Sequence, residues 1–117
     1  MFSPDGRWLA FESGGALMKV PIDGGTGVRL CDLPYYAGGS WGPDGIVIAP
    51  SFTSGLFRVD ASGGRPTRLT TLDETKGERA HVWPQVLPDG RVLFTIWTGA
   101  SFDEARIALL TPATNRY

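Results

Sequence analysis

The sequence predicts an all-β protein, and three observations support this. The tripeptide Pro-Asp-Gly occurs at residues 4–6, 43–45 and 88–90, each time before an apolar run. Proline, aspartate and glycine are the residues that tight turns favour, because they supply a fixed φ, a nearby acceptor and a positive φ. Glycine accounts for 16 of the 117 residues. No apolar pattern with helical spacing continues for three turns between glycines and prolines, so we expect no long helix.

The turn tripeptide belongs to a longer repeat. A shift of 39 residues places residues 4–33 on residues 43–72 without a gap, and 11 of the 30 aligned positions are identical. A third copy begins at Pro88. A period near 40 residues, built of short strands and glycine turns, is typical of β-propeller blades. The predicted fold is therefore a β-propeller segment of about three four-stranded blades, incomplete at both ends. The blades fall at about residues 1–39, 40–80 and 81–117 of one domain.

Apolar runs between the turns define the expected strands. In the first copy they cover residues 7–13, 16–23 and 28–33, with a hairpin at Gly14-Gly15. The second copy has strands at 40–41, 46–51, 56–61 and 67–72, and the third at 81–87, 91–98 and 105–111. Residues 73–80 are polar and are expected to form a surface loop, and residues 99–104 a longer hairpin.

Composition limits the function classes. The 11 Lys and Arg residues against 12 Asp and Glu residues give a net charge of −1, so no long-range field attracts nucleic acid or an anionic membrane. We expect neither partner, and no segment is apolar for long enough to insert in a bilayer. Cys31 is the single cysteine and cannot form an intramolecular disulfide. One histidine and one cysteine, fifty residues apart, predict no metal site, and no cofactor motif is present.

An incomplete set of blades has a physical consequence. Three blades in isolation leave two broad apolar faces in water, which proteins rarely tolerate. The chain begins and ends within a repeat, which indicates either a piece of a larger propeller or a protein completed by assembly. Two copies would provide six blades, within the usual range. For the chain on its own we therefore predict a homo-oligomer, most simply a homodimer.

Several short motifs carry a resemblance to a known family. Trp41-Gly-Pro-Asp-Gly45 and the strand Gly55–Asp60 followed by Gly63-Gly64 resemble the repeats of TolB-like, WD-repeat-like bacterial β-propellers. More narrowly, a combination of three runs is similar to the propeller region that follows bacterial serine/threonine protein kinase domains: Gly39-Ser-Trp-Gly-Pro-Asp-Gly45, Leu69-Thr-Thr-Leu-Asp73 and Trp83-Pro-Gln-Val-Leu-Pro-Asp-Gly90. This resemblance implies a non-catalytic sensor module that binds a protein, peptide or glycan. It also implies an extracytoplasmic location, which the residues themselves leave unknown.

One pattern supports an alternative. Gly38-Gly39-Ser40-Trp41-Gly42 matches the G-x-S-x-G nucleophile elbow, and propellers accompany the catalytic domain in the prolyl oligopeptidase family. The elbow requires a helix after the serine, whereas here a Pro-Asp-Gly turn follows. Because that helix is missing and His81 is the only histidine that could act as the base, we predict that this chain is not an enzyme. An accessory propeller of a serine hydrolase remains the alternative.

Aromatic residues and one arginine mark the expected ligand surface. Inner strands and their entry loops meet at the mouth of a propeller channel, and residue types that dominate recognition energetics are concentrated there. The candidate ligand-binding residues in these segments are Tyr35, Tyr36, Trp41, Arg79, His81 and Trp83. The structural alternative is that Trp41 and Trp83 pack between blades and that His81 forms a hydrogen bond with a neighbouring strand. Trp8 and Trp97 are expected in the core.

Overall fold

The all-β prediction is confirmed. The computed structural model describes residues 1–99 and 101–117, and these form ten strands and two short 3₁₀-helices. The strands are β1 (Trp8–Ser13), β2 (Ala16–Pro21), β3 (Val28–Asp32), β4 (Gly39–Gly42), β5 (Gly45–Ile48), β6 (Phe57–Val59), β7 (Thr67–Arg68), β8 (Ala80–Val86), β9 (Val92–Trp97) and β10 (Arg106–Leu110). The 3₁₀-helices are η1 (Glu74–Lys76) and η2 (Phe102–Glu104). No α-helix occurs in these described ranges.

The strands form three antiparallel sheets, each a meander of neighbours in sequence. The first sheet has the order β1-β2-β3, the middle sheet β4-β5-β6-β7 and the third sheet β10-β9-β8. Only the middle sheet has four strands, and none of the three closes on itself within the described residues. Residues 1–3 also run along β1, since Met1 and Ala10 exchange backbone hydrogen bonds and Ser3 N donates to Trp8 O.

The three sheets pack face to face around two apolar clusters. Ile46, Ile48 and Val59 of the middle sheet are buried against Ala10 and Leu17 of the first sheet. On its opposite face, the middle sheet contributes Val47, Ala49 and Leu56 to a cluster with Val92, Phe94 and Leu110 of the third sheet. Successive residues of β5 therefore enter different clusters, as the twofold period of a strand requires. Both faces of the middle sheet are covered.

The middle and third sheets approach each other most closely at β4 and β8. A Cβ on Gly42 would lie 2.3 Å from Val86 Cγ1, so the contact leaves no room for a side chain. Two residues earlier in β4, Ser40 Oγ accepts a hydrogen bond from the backbone N–H of the same Val86 at 2.9 Å. Glycine and serine in β4 thus allow the two strands to pack with little between them.

Two connections differ from the expected ones. Residues 73–80 contain η1, which Asp73 caps by accepting a hydrogen bond from Thr75 N at 3.1 Å. Glu78, in the same polar stretch, is buried instead of facing solvent. The hairpin expected at residues 99–104 includes Ala100, which lies outside the described residues, and η2 occupies its second half.

Candidate ligand-binding surface

A bulge in β8 turns Trp83 towards solvent. The pairing of β8 with β9 shifts register between Val82 and Gln85, at the Trp83-Pro84 dipeptide. Proline cannot donate to a strand ladder and is placed at bulges for that reason. Trp83 adopts a φ of +49°, an uncommon backbone conformation for a bulky residue. Its side chain is 47% exposed, and its backbone N–H donates to Ala37 O at 2.8 Å.

Gly38 makes this conformation possible. A Cβ on Gly38 would lie 2.7 Å from Trp83 Cα and 3.1 Å from Trp83 Cδ1. Gly38 itself has a φ of +109°, which disfavours any other residue. The surrounding backbone therefore holds Trp83 in its strained, outward position, and strain maintained in this way is common at binding sites.

Three aromatic side chains meet beside the bulge. The ring of Phe52 lies between two tryptophans, with centroids 6.2 Å from Trp83 and 6.0 Å from Trp97. Both contacts are edge-on, at interplanar angles of 77° and 84°. Such geometry is favourable for aromatic pairs and orients the rings. We call Phe52, Trp83 and Trp97 the aromatic surface.

A cavity of about 590 Å³ adjoins the aromatic surface. Phe52, Trp97 and Leu72 supply its apolar wall, and the charged residues that line it are Arg79, Glu74 and Glu78. Arg79 is anchored by its backbone N–H, which donates to Trp97 O at 2.8 Å, and its side-chain stem lies across Gly99. A concave apolar wall with a few charged groups is the usual composition of a ligand site.

His81 lies in the interior, between the middle and third sheets. The ring is fully buried, with Nδ1 2.7 Å from Thr70 Oγ1 and Nε2 2.7 Å from Glu78 Oε1. Burial lowers the pKa of His81 more than the Glu78 carboxylate raises it, so the ring is neutral. A carboxylate only accepts hydrogen bonds, so Nε2 carries the proton and the Thr70 hydroxyl donates to Nδ1. Both ring nitrogens are therefore occupied by protein partners.

Glu78 is the centre of this buried network. Its Oε1 accepts hydrogen bonds from Asp73 N at 3.1 Å, His81 Nε2 at 2.7 Å and Tyr117 Oη at 2.8 Å. Burial alone would raise the pKa of Glu78, but these donors outweigh it and lower the pKa. The carboxylate is consequently an ionised acceptor in a buried site.

Tyr117 is the solvent-exposed member of this network, and its hydroxyl contacts Glu78. Its hydroxyl oxygen also lies 2.9 Å from Thr71 O, so its one proton is shared between two acceptors, and its ring packs edge-on against His81 and Phe94. Burial and the adjacent Glu78 carboxylate raise the pKa of Tyr117, since both favour the protonated hydroxyl. The phenol therefore stays a hydrogen-bond donor throughout the neutral range.

Hydrogen bonds link Thr70, His81 and Glu78 in the same order as the nucleophile, base and acid of a catalytic triad. Thr70 is a buried residue, 4% exposed, and its hydroxyl already accepts a hydrogen bond from Leu56 N at 2.8 Å. Because Leu56 N and His81 Nδ1 both bond to Thr70 Oγ1, this cluster joins the middle sheet to the third sheet. Ser40 of the G-x-S-x-G pattern lies within β4 and is followed by a hairpin instead of a helix.

The six sequence-predicted residues separate into two environments. Backbone contact between Ala37 and Trp83 brings the two predicted segments together, as expected. Tyr35, Tyr36, Arg79 and Trp83 are exposed, with Tyr35 at 72% and Tyr36 at 45%. Trp41 packs against the cluster between the first and middle sheets, and His81 is in the interior.

Sequence reasoning missed two residues of the surface. Phe52 is not among the sequence-based candidates, and Trp97, expected in the core, packs against the cluster between the middle and third sheets but also lines the cavity. A signal for Phe52 was present, because it is the single large apolar residue in the polar run Ser51–Gly55. An aromatic residue in an otherwise polar loop often marks a contact surface.

Comparisons with known proteins give no match: no protein-family model, curated protein or solved structure is similar to this chain. Across residues 1–99 and 101–117, no helix has the length and apolar character needed to cross a membrane. The same described residues contain no group of three or more His, Cys, Asp or Glu side chains placed to hold a metal ion.

Proposed function

We propose that this chain is a non-catalytic binding module, a three-blade segment of a β-propeller of the TolB-like, WD-repeat-like class. Three face-to-face antiparallel meanders, each with the same turn tripeptide in its first hairpin, support the propeller assignment. The adjacent positions of β4 and β8 also support it, because these are the first strands of consecutive meanders. The likeness of the sequence to kinase-linked propellers further suggests the sensor part of a larger extracytoplasmic protein.

The ligand site in this proposal is the aromatic surface together with Arg79. The observation that carries it is Trp83, a large aromatic residue held half exposed at a φ of +49° by a bulge and by Gly38. Trp and Arg are enriched among residues that dominate binding energy. The ligand is a protein, peptide or glycan surface that can cover aromatic rings and pair with a guanidinium.

Binding to a displayed peptide library and to a glycan array tests the proposal directly. Any ligand obtained should lose about 30-fold in affinity, or about 2 kcal/mol, with Trp83→Ala, and a comparable amount with Arg79→Ala. Arg65→Ala is the matched control, since Arg65 is an arginine in the turn between β6 and β7, away from the cavity. Equal losses for Arg65→Ala and Arg79→Ala, or ligands indifferent to Trp83→Ala, would contradict this site.

The accessory propeller of a serine hydrolase is the alternative function. If Ser40 were a nucleophile, a fluorescent phosphonate would label the chain, and Ser40→Ala would abolish the labelling. We expect no labelling, because Ser40 Oγ is engaged by Val86 N and no base has been found bonded to it among the described residues. Specific labelling of Ser40 would overturn the non-catalytic proposal.

A further inference from the structure

The strand register reveals that one face of each sheet is built to the same plan. In each sheet, two cross-strand pairs join the strand that follows the Pro-Asp-Gly turn to the next strand along the chain. The pairs occupy equivalent positions in the three sheets, and all of their residues are apolar. The pairs are Leu9–Val20 and Phe11–Met18 in the first sheet, Ile46–Val59 and Ile48–Phe57 in the middle sheet, and Val92–Leu110 and Phe94–Ala108 in the third sheet. We call these four positions of each sheet its leading face.

The leading face is buried wherever a preceding sheet exists. In the middle sheet, Ile46, Ile48 and Val59 are at most 1% exposed because they pack on the first sheet. In the third sheet, Val92 and Phe94 are at most 2% exposed because they pack on the middle sheet. In this structure no other sheet covers the leading face of the first sheet, and its four apolar residues are only half-buried.

The opposite face of the third sheet is the other open surface. Two cross-strand pairs, Leu93–Leu109 and Thr95–Ile107, lie on it. Ile107 is 72% exposed and Leu109 is 36% exposed. The equivalent faces of the other sheets carry Ala10 and Val47, and both are buried by the sheet that follows.

We propose that the leading face of the first sheet docks on the open face of the third sheet in a second copy of this chain. The chain already contains this interface twice, between the first and middle sheets and between the middle and third sheets. A contact between two different faces is head-to-tail and closes into a ring when the rotation permits. Each copy supplies three sheets, and six is the only multiple of three between four and eight, the usual number of propeller blades. This count rests on the proposed propeller fold, and for the chain of residues 1–117 alone it gives a closed dimer with two identical interfaces.

Mass in solution tests the dimer, and paired variants test its polarity. The 117-residue chain should sediment at twice its mass of 12.6 kDa. Phe11→Asp places a charge on the leading face, and Ile107→Asp places one on the open face of the third sheet. Each variant alone should sediment as a monomer, because each breaks both interfaces of the ring. Ile22→Asp is the control, since Ile22 is 48% exposed and follows β2, and it should remain dimeric.

An equimolar mixture of the two variants distinguishes head-to-tail docking from symmetric docking. One interface of the mixed pair retains wild-type residues on both sides, so the mixture should recover a dimer that neither variant forms alone. Circular dichroism verifies that each variant is folded, and Met18→Glu replaces Phe11→Asp if that variant unfolds. A monomeric wild-type chain at high concentration, a dimeric Ile107→Asp variant, or a mixture that stays monomeric would each overturn the proposal.

Discussion

Replacing Glu78 with glutamine should destabilise the fold strongly, although the two side chains have nearly the same shape. The Glu78 carboxylate accepts three hydrogen bonds, from the Asp73 amide, the His81 imidazole and the Tyr117 hydroxyl. A hydrogen bond to a charged acceptor contributes about 1.5–3 kcal/mol, and one to a neutral acceptor about 0.5–1.5 kcal/mol. Glutamine keeps the acceptor but removes the charge, so each bond loses about 1 kcal/mol.

The summed loss is about 3 kcal/mol in the free energy of unfolding at pH 7, a large share of the 5–15 kcal/mol typical of a domain. For a chain of this size, the loss corresponds to a decrease of about 12 °C in Tm. Urea unfolding followed by tryptophan fluorescence measures the free energy, and calorimetry measures the Tm. Glu74→Gln is the matched control, because Glu74 is an exposed glutamate in η1, and its substitution should change stability by less than about 0.5 kcal/mol.

The pH dependence gives a second measurement of the same effect. Because the folded state lowers the pKa of Glu78 below its ordinary value of 4.5, its stabilisation is complete above that pH and is lost as the pH falls below it. Glu78→Gln should therefore show a shallower loss of stability below pH 4.5 than the wild type. A destabilisation below about 1 kcal/mol, or one equal to that of Glu74→Gln, would refute the assignment of Glu78 as an ionised structural acceptor.

Three further predictions concern the same region. The pKa of His81 is lowered by burial, so wild-type stability should fall as the pH drops below 6.5, by at most about 1.4 kcal/mol per pH unit, and His81→Gln should flatten this slope in urea titrations at several pH values. The pKa of Tyr117 is raised, so stability should also fall above pH 10, and Tyr117→Phe should reduce that slope in alkaline melts while costing about 1–3 kcal/mol at pH 7. Gly42→Ala should cost about 1–3 kcal/mol by calorimetry, because its Cβ would lie 2.3 Å from Val86 Cγ1, whereas Gly27→Ala should be nearly neutral since its Cβ would meet nothing closer than 3.4 Å.

The candidate site was partly accessible to sequence reasoning. The aromatic residues and Arg79 attracted attention by residue type alone, and the prediction that residues 35–41 and 79–83 meet agrees with the Ala37–Trp83 hydrogen bond. The sequence could not separate the outward Trp83 from the inward His81. These residues are two apart and would share a face in a regular strand, but the bulge between Val82 and Gln85 redirects Trp83.

Hairpin length limited what the repeat could reveal about the faces. The first hairpin of each sheet encloses a different number of residues. There are four between Ser3 and Trp8 in the first sheet, two between Gly42 and Gly45 in the middle sheet, and three between Leu87 and Arg91 in the third sheet. Aligning the Pro-Asp-Gly tripeptides therefore makes Val92 equivalent to Val47. In the strand register, Val92 of the third sheet instead holds the position of Ile46 in the middle sheet, since each is the first residue after the pair that closes the hairpin. An offset of one residue moves a side chain to the opposite face of a strand.

The sequence by itself determined the local structure: an all-β chain, the positions of the turns and nearly all of the ten strands, because glycine, proline and apolar runs act over a few residues. Only the tertiary structure decided which face of each sheet is buried, that Glu78 is an interior acceptor for His81, and that Phe52 lies between Trp83 and Trp97. These features depend on strand register and on contacts between sheets far apart in the chain. Local residue patterns do not encode contacts between residues far apart in the chain, so these features form only when the sheets pack together.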